Sequence, residues 1–176
     1  MKSVAITGHS KGIGQALSVL MQETYNVYGY SRSNGFDITN LDKIVNEIKT
    51  FDIFVNNAFY LDYQADLFNK IFDIWKHNPT KTIVNIISRA KYIEGTENPY
   101  YNSKIALSKL AYKKLFGRQC RIININPGFV MTESAKPSIE KYQMPFMHKE
   151  KCAEYILWTI EQPIEIFELS LWETKL

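Results

Sequence analysis

Residues 3–17 read SVAITGHSKGIGQAL: a short apolar run, a turn carrying glycines, and the opening of a helix. Gly8, Gly12 and Gly14 all fall at that junction. Glycine permits a tight turn there and lets backbone approach a pyrophosphate held at a helix N-terminus. The spacing is TGxxxGxG rather than the GxGxxG of many dinucleotide-binding turns. Alone, this stretch fits a plain turn as well as a phosphate cradle, although three glycines at one junction are costly if they serve no purpose.

Working outward, runs rich in Val, Ile and Phe recur at 3–7, 26–31, 51–56, 82–88, 121–126 and 164–171. Most are almost continuously apolar, as strands covered on both faces are. Helical patterns lie between them, near 12–23, 40–49, 65–77, 100–116 and 149–161. Strand and helix in alternation predict a three-layer α/β/α, Rossmann-like, doubly wound parallel sheet. Residues 1–176 are expected to form one domain. Ligands of such sheets bind beyond the carboxyl ends of the strands, so the residues at those ends carry the functional question.

The totals narrow the field. Basic and acidic residues number 21 and 18, a net charge of +3, and the cations are dispersed, which argues against nucleic acid. No apolar run approaches the roughly 18 residues that a membrane span needs. The start MKSVAITG enters a strand directly and predicts no signal peptide. Cys120 and Cys152 have no ligand-like neighbours, so no metal site is expected. They read as reduced structural thiols, which suits a cytoplasmic protein.

The second strand ends in Ser31, Arg32 and Ser33, where a site for NAD would place an acid on the ribose 2′-hydroxyl. A guanidinium suits a 2′-phosphate instead, and Lys11 in the glycine turn adds a second cation. Together they favour NADP over NAD. The third strand ends at Asn56, Asn57 and Ala58, the fourth at Ser88, and the fifth in NPGFVMT, 126–132. On the helix that follows Ser88, Tyr100 and Lys104 are four apart and share a face, whereas Tyr101 has Ile105 at that offset. Taken locally, this helix equally fits an aromatic face with solvated lysines.

The set of motifs, in this order, resembles the short-chain dehydrogenase/reductase family over about residues 2–172: TGxxxGxG, FDIT at 36–39, Asn56-Asn57-Ala58, Ser88, Tyr100-xxx-Lys104 and NPGFVMT. The resemblance implies hydride transfer between NADPH and a small carbonyl or alcohol substrate. Tyr100 would be the general acid/base, Ser88 would position the substrate oxygen, and Lys104 would lower the tyrosine's pKa and bond the nicotinamide ribose. Gly8, Ser10, Lys11, Gly12, Ile13 and Gly14 would surround the pyrophosphate and adenosine ribose, with Ser31 and Arg32 at the 2′-phosphate. Asp37 and Ile38 would contact the adenine, and Asn57 and Ala58 a ribose. Pro127, Gly128, Val130 and Thr132 would hold the nicotinamide. The family's assembly habits leave room for a homodimer through the Tyr100 helix, or a homotetramer.

The sequence also departs from the pattern. Phe59 follows Asn-Asn-Ala where the family has glycine, so that loop must bend differently. The chain is short, mostly between Asn57 and Ser88, and the family's relay asparagine has only Asn69 as a candidate. The segment after Thr132 reads as apolar and loosely structured, either roofing a pocket or packing on the sheet. A catalytically weak NADP(H)-binding sensor on the same fold is the alternative that these departures raise.

Overall fold

The computed structural model describes residues 1–92, 95 and 97–173. Six strands form one parallel sheet: β1 (Ser3–Thr7), β2 (Asn26–Tyr30), β3 (Ile53–Asn56), β4 (Thr82–Ile86), β5 (Arg121–Pro127) and, numbered after two short strands, β8 (Glu168–Leu171). Their order is β2-β1-β3-β4-β5-β8. The chain steps one way from β1 to β2 and the other way to β3, which puts a switch point between β1 and β3.

Helices cover both faces. Against one lie α1 (Gly12–Met21) and α6 (Lys149–Glu161), which bury Leu17, Met21, Cys152 and Ile156 with Ile6, Val55 and Val84. Against the other lie α2 (Leu41–Ile48), α3 (Tyr63–Trp75) and α4 (Pro99–Lys113), which bury Ile44, Phe68, Ile71, Trp75 and Leu107 with Phe54, Ile83 and Ile122. The three expected layers are present. Both cysteines are free and buried. No helix among the described residues is long and apolar enough to cross a membrane.

Beneath α3 and α4 the central strands carry a polar ladder. Asn56, Asn85 and Asn124 stand opposite one another in register on β3, β4 and β5, and all are fully buried. Asn56 Nδ2 donates to Asn85 Oδ1 at 3.1 Å, and Asn85 Nδ2 donates to Asn124 Oδ1 at 3.0 Å. A one-residue slip would drive these amides into the apolar layer opposite, so the ladder enforces register.

Two segments differ from the sequence expectation. The strand expected over 164–171 begins only at Glu168. Ahead of it the Arg121 guanidinium gathers the carbonyls of Thr159, Ile160, Gln162 and Ile164, at 3.0–3.3 Å, so the turn leaving α6 is bound to a side chain instead of the sheet. The segment after Thr132 is also more ordered than expected. It contains α5 (Lys136–Tyr142), and β6 (Val130–Met131) pairs in parallel with β7 (Met147–His148). Only Ile139 of α5 is buried, so no helical apolar periodicity marks the segment in the sequence.

Truncating the middle rung tests the ladder. Asn85→Ala should lower the unfolding free energy by about 2–4 kcal/mol in urea titrations, because it leaves the Asn124 acceptor unpaired and opens a cavity. The exposed Asn46→Ala should stay within about 0.5 kcal/mol.

Candidate active site

The site assembles along the carboxyl edge of the sheet. At the end of β1, Gly8 and Gly12 take positive φ of 70° and 59°. A Cβ on Gly14 would stand 2.3 Å from Gly8 O, so the turn closes onto α1 only with glycine there. Lys11 caps α1 with no side-chain hydrogen bond and the first turn holds no acid of its own, but the Glu133 carboxylate approaches Lys11 and the Gly12 N–H, so an anion already faces this helix N-terminus. Ser10 and Lys11 are exposed at the rim, while Ile13 packs against the core.

After β2 the backbone N of Ser31 donates to Asn34 Oδ1 at 2.8 Å, the hydroxyls of Ser31 and Ser33 bond at 2.7 Å, and Asn34 Nδ2 donates to Gly29 O at 2.8 Å. This network shapes a 3-10 turn, Arg32–Asn34, that carries Arg32 exposed at the rim. Asp37 Oδ1 accepts from the N and Oγ1 of Thr39, both at 2.9 Å, and those bonds hold its carboxyl below the usual carboxylate range. The side chain of Ile38 belongs to the core beside Tyr30 rather than to the crevice.

The β3 end is a tie between loops. Asn57 Nδ2 donates to Thr7 O (3.0 Å) and Gly8 O (3.2 Å), and Ala58 N donates to Thr7 Oγ1 (3.1 Å). The Asn57 amide therefore anchors the glycine turn, and its donor group is spent on that anchoring. At the far side Pro127 ends β5, Gly128 N donates to Leu171 O at 3.1 Å, and Val130 is buried in the core. A Cβ on Gly12 would come within 3.3 Å of Thr132 Cγ2, so the glycine turn and the segment after β5 face each other across a narrow gap.

The centre of the site lies on α4. Asn98 caps this helix by accepting from Tyr100 N at 3.0 Å, and Pro99 follows in the first turn. Lys104, Leu107 and Ala111 form its buried stripe, and Tyr100 stands one turn above Lys104 on the same face. Ser88, at the end of β4, lies beside the Tyr100 phenol and tempers its pKa, while its Oγ accepts from Ala90 N at 3.1 Å. Tyr101 is half-buried with its ring 5.9 Å from that of Tyr100. Of the expected catalytic residues, Ser88, Tyr100 and Lys104 are brought together.

Asn69 is not. Its Nδ2 reaches Asp73 Oδ2 at 3.4 Å on the outer side of α3. The partner of Lys104 is Gln64, whose Oε1 accepts from Nζ at 2.7 Å, while Ile86 O accepts from it at 3.0 Å. Gln64 Nε2 donates in turn to Asn56 O (2.7 Å) and Ile86 O (3.0 Å), which links the lysine to the asparagine ladder. Sequence reasoning missed Gln64. Its signal is a polar residue heading the apolar stripe of Leu67, Phe68 and Ile71 at helical spacing.

The electrostatics also differ from expectation. Burial raises the Tyr100 pKa, and the neighbouring Ser88 hydroxyl only partly offsets that. Burial lowers the Lys104 pKa to about 7, so the amine is only partly protonated near neutral pH and is a weaker cation beside the tyrosine than an exposed lysine would be. Phe59 adds to the enclosure, with its ring 5.0 Å from that of Tyr100 and 5.2 Å from Lys104 Nζ.

No family model matches the chain, and no curated protein matches it in sequence. Solved structures do. The 3-alpha-hydroxysteroid dehydrogenase of Pseudomonas sp. B-0831, complexed with NADH, aligns with a TM-score of 0.76 at 18% identity, over 96% of this chain and 95% of that one. An alcohol dehydrogenase from the archaeon Thermococcus sibiricus, complexed with 5-hydroxy-NADP, aligns with a TM-score of 0.73 at 19% identity, over 97% and 96%. A short-chain dehydrogenase from Streptomyces avermitilis aligns with a TM-score of 0.76 at 15% identity, over 97% and 88%. The chain has the short-chain dehydrogenase fold along nearly its whole length.

The lowered Lys104 pKa makes stability depend on pH. Between about 7 and the ordinary lysine value of 10.5 the unfolded chain binds a proton at this residue that the folded chain has released, so stability rises with pH across that window and falls as pH drops back toward 7. Urea titrations at pH 7 and 9 should show a gain at pH 9 that shrinks in Lys104→Met.

Proposed function

We propose that this protein is an NADP-dependent oxidoreductase of the short-chain dehydrogenase/reductase type that reduces a small carbonyl compound to its alcohol. The observation that carries this reading is Tyr100 placed beside Ser88 and over Lys104, whose Nζ lies 5.5 Å from the tyrosine's ring centroid, at the carboxyl edge of a sheet whose first turn is rich in glycine. The residues present fit a nicotinamide dinucleotide. The start of α1, where the Glu133 carboxylate already faces Lys11 and the Gly12 N–H, suits an anion such as a pyrophosphate, with Ser10 and Ile13 beside it and with Gly8 and Gly14 letting Asn57 and the turn backbone pack closely. Exposed Arg32 and Lys11, with Ser31 shaping the turn, suit a 2′-phosphate. In this reading Asp37 and Ile38 would contact the adenine, Asn57 and Ala58 a ribose, and Pro127, Gly128, Val130 and Thr132 the nicotinamide, as the resemblance implies.

When bound, NADPH supplies a hydride to the carbonyl carbon. Ser88 holds the carbonyl oxygen by a hydrogen bond, and Tyr100 gives that oxygen its phenolic proton as the carbon receives the hydride, which completes the alcohol. The raised Tyr100 pKa suits this direction, because the hydroxyl stays protonated at neutral pH and is ready to donate. Lys104, with a pKa near neutrality, can return a proton toward the phenolate, and Gln64 fixes its position. A cytoplasmic homodimer or homotetramer belongs to the same reading. The enclosure of Lys104 beneath Phe59 favours one second reading, an NADP(H)-binding sensor with weak turnover.

Two measurements separate these readings. With NADPH and a panel of small aldehydes and ketones, Tyr100→Phe should lower kcat/KM by about 10²–10⁴-fold while NADPH affinity moves little. Turnover that survives this change removes Tyr100 from the chemistry, and tight NADPH binding without turnover on any substrate supports the sensor. Arg32→Ala should weaken NADPH binding by about tenfold or more and leave NADH nearly unaffected. Equal losses for both nucleotides would overturn the NADP assignment.

A further inference from the structure

Phe59 stands where the resemblance expects glycine, and its side chain does more than redirect a loop. The Lys104 amine has two N–H donors when neutral and three when protonated. Two of those on Lys104 are spent, on Gln64 Oε1 at 2.7 Å and Ile86 O at 3.0 Å. The remaining side of Nζ faces two aromatic rings, with the Phe59 centroid at 5.2 Å and the Tyr100 centroid at 5.5 Å. Those rings meet edge to face, 5.0 Å apart at 81°. Lys104 is 3% exposed while Phe59 is 40% exposed, so the phenylalanine ring separates the amine from solvent.

The ring is also placed to move. The chain is pinned on one side by Asn57 and Ala58, which bond Thr7 and Gly8, and on the other by the start of α3. Between these anchors Phe59, Tyr60 and Leu61 are exposed apolar residues in succession, and Leu61 has a left-handed φ of 44°. The neighbours that hold the Phe59 ring are those on its inner face: an edge-to-face aromatic contact and a cation–π contact, both weak interactions.

We propose that Phe59 is a shutter over Lys104, closed here, whose ring must swing outward before a ligand hydroxyl, such as the ribose of the nicotinamide half, can reach the amine. This rests on the nucleotide reading for the identity of the ligand, although the shutter itself rests on the contacts alone. A protein that binds ligand only in its open form has an apparent affinity reduced by the fraction open. Removing the ring therefore exposes Lys104 and tightens binding together.

The test uses the intact chain with Phe59→Gly, Phe59→Leu and Phe59→Trp. Without nucleotide, reductive methylation followed by peptide mass spectrometry reads the accessibility of Lys104. NADPH titration by fluorescence reads affinity. Phe59→Gly should speed Lys104 modification by about tenfold and lower the NADPH Kd by a similar factor, Phe59→Leu should fall between, and Phe59→Trp should match or slow the parent chain. Lys104 modification unchanged across the series, or faster in Phe59→Gly without tighter NADPH binding, overturns the shutter. Faster modification with no NADPH binding by any chain, the parent included, keeps the shutter over Lys104 and removes the nucleotide reading instead.

Discussion

A lysine amine held out of water by two oxygens is the constraint on which this structure turns. Gln64 Oε1 and Ile86 O fix Lys104 beneath Tyr100, and the same glutamine reaches the backbone of β3 and β4. From there the buried amides of Asn56, Asn85 and Asn124 continue the network across three strands. A buried amine with no acceptors would be strongly destabilising, and the amide ladder, whose outer atoms Asn56 Oδ1 and Asn124 Nδ2 lack partners, depends on its inner bonds being kept. The sheet register, the start of α3 and the inner face of α4 must therefore agree for the site to exist. Stability and function share the same atoms.

That coupling explains what the sequence disclosed. The six sheet strands and the helices between them were legible because parallel strands covered on both faces leave continuous apolar runs. The glycine turn, Ser88, Tyr100 and Lys104 were legible because their residue types and order are specific. Gln64 and the asparagine ladder were hidden, since their meaning comes from register between strands 29 and 39 residues apart. Asn69 failed as the relay residue because it points to the outer side of α3, away from the sheet, whereas Gln64 begins the buried stripe. The late start of β8 was hidden as well, because Arg121 draws off carbonyls that propensity alone would assign to a strand. α5 buries one side chain and so leaves no periodic trace.

The site's electrostatics follow from its dryness. Burial raises Tyr100 and lowers Lys104, and both shifts favour neutral partners near pH 7. A neutral phenol beside Ser88 is suited to give a proton. Phe59 contributes to that dryness by covering the amine, and the short loop that carries it offers few restraints on an outward swing. Enclosure and access are then set by one side chain, where a glycine would leave the amine open.

The most direct measurement is a crystal structure with NADPH bound. The account predicts the nicotinamide ring between Tyr100 and the Pro127–Gly128 turn, the ribose hydroxyls at Lys104 with the Phe59 ring displaced, and the 2′-phosphate beside Arg32. NADPH bound elsewhere, or bound with Phe59 still over Lys104 and the Tyr100 hydroxyl directed away from the nicotinamide, would contradict it.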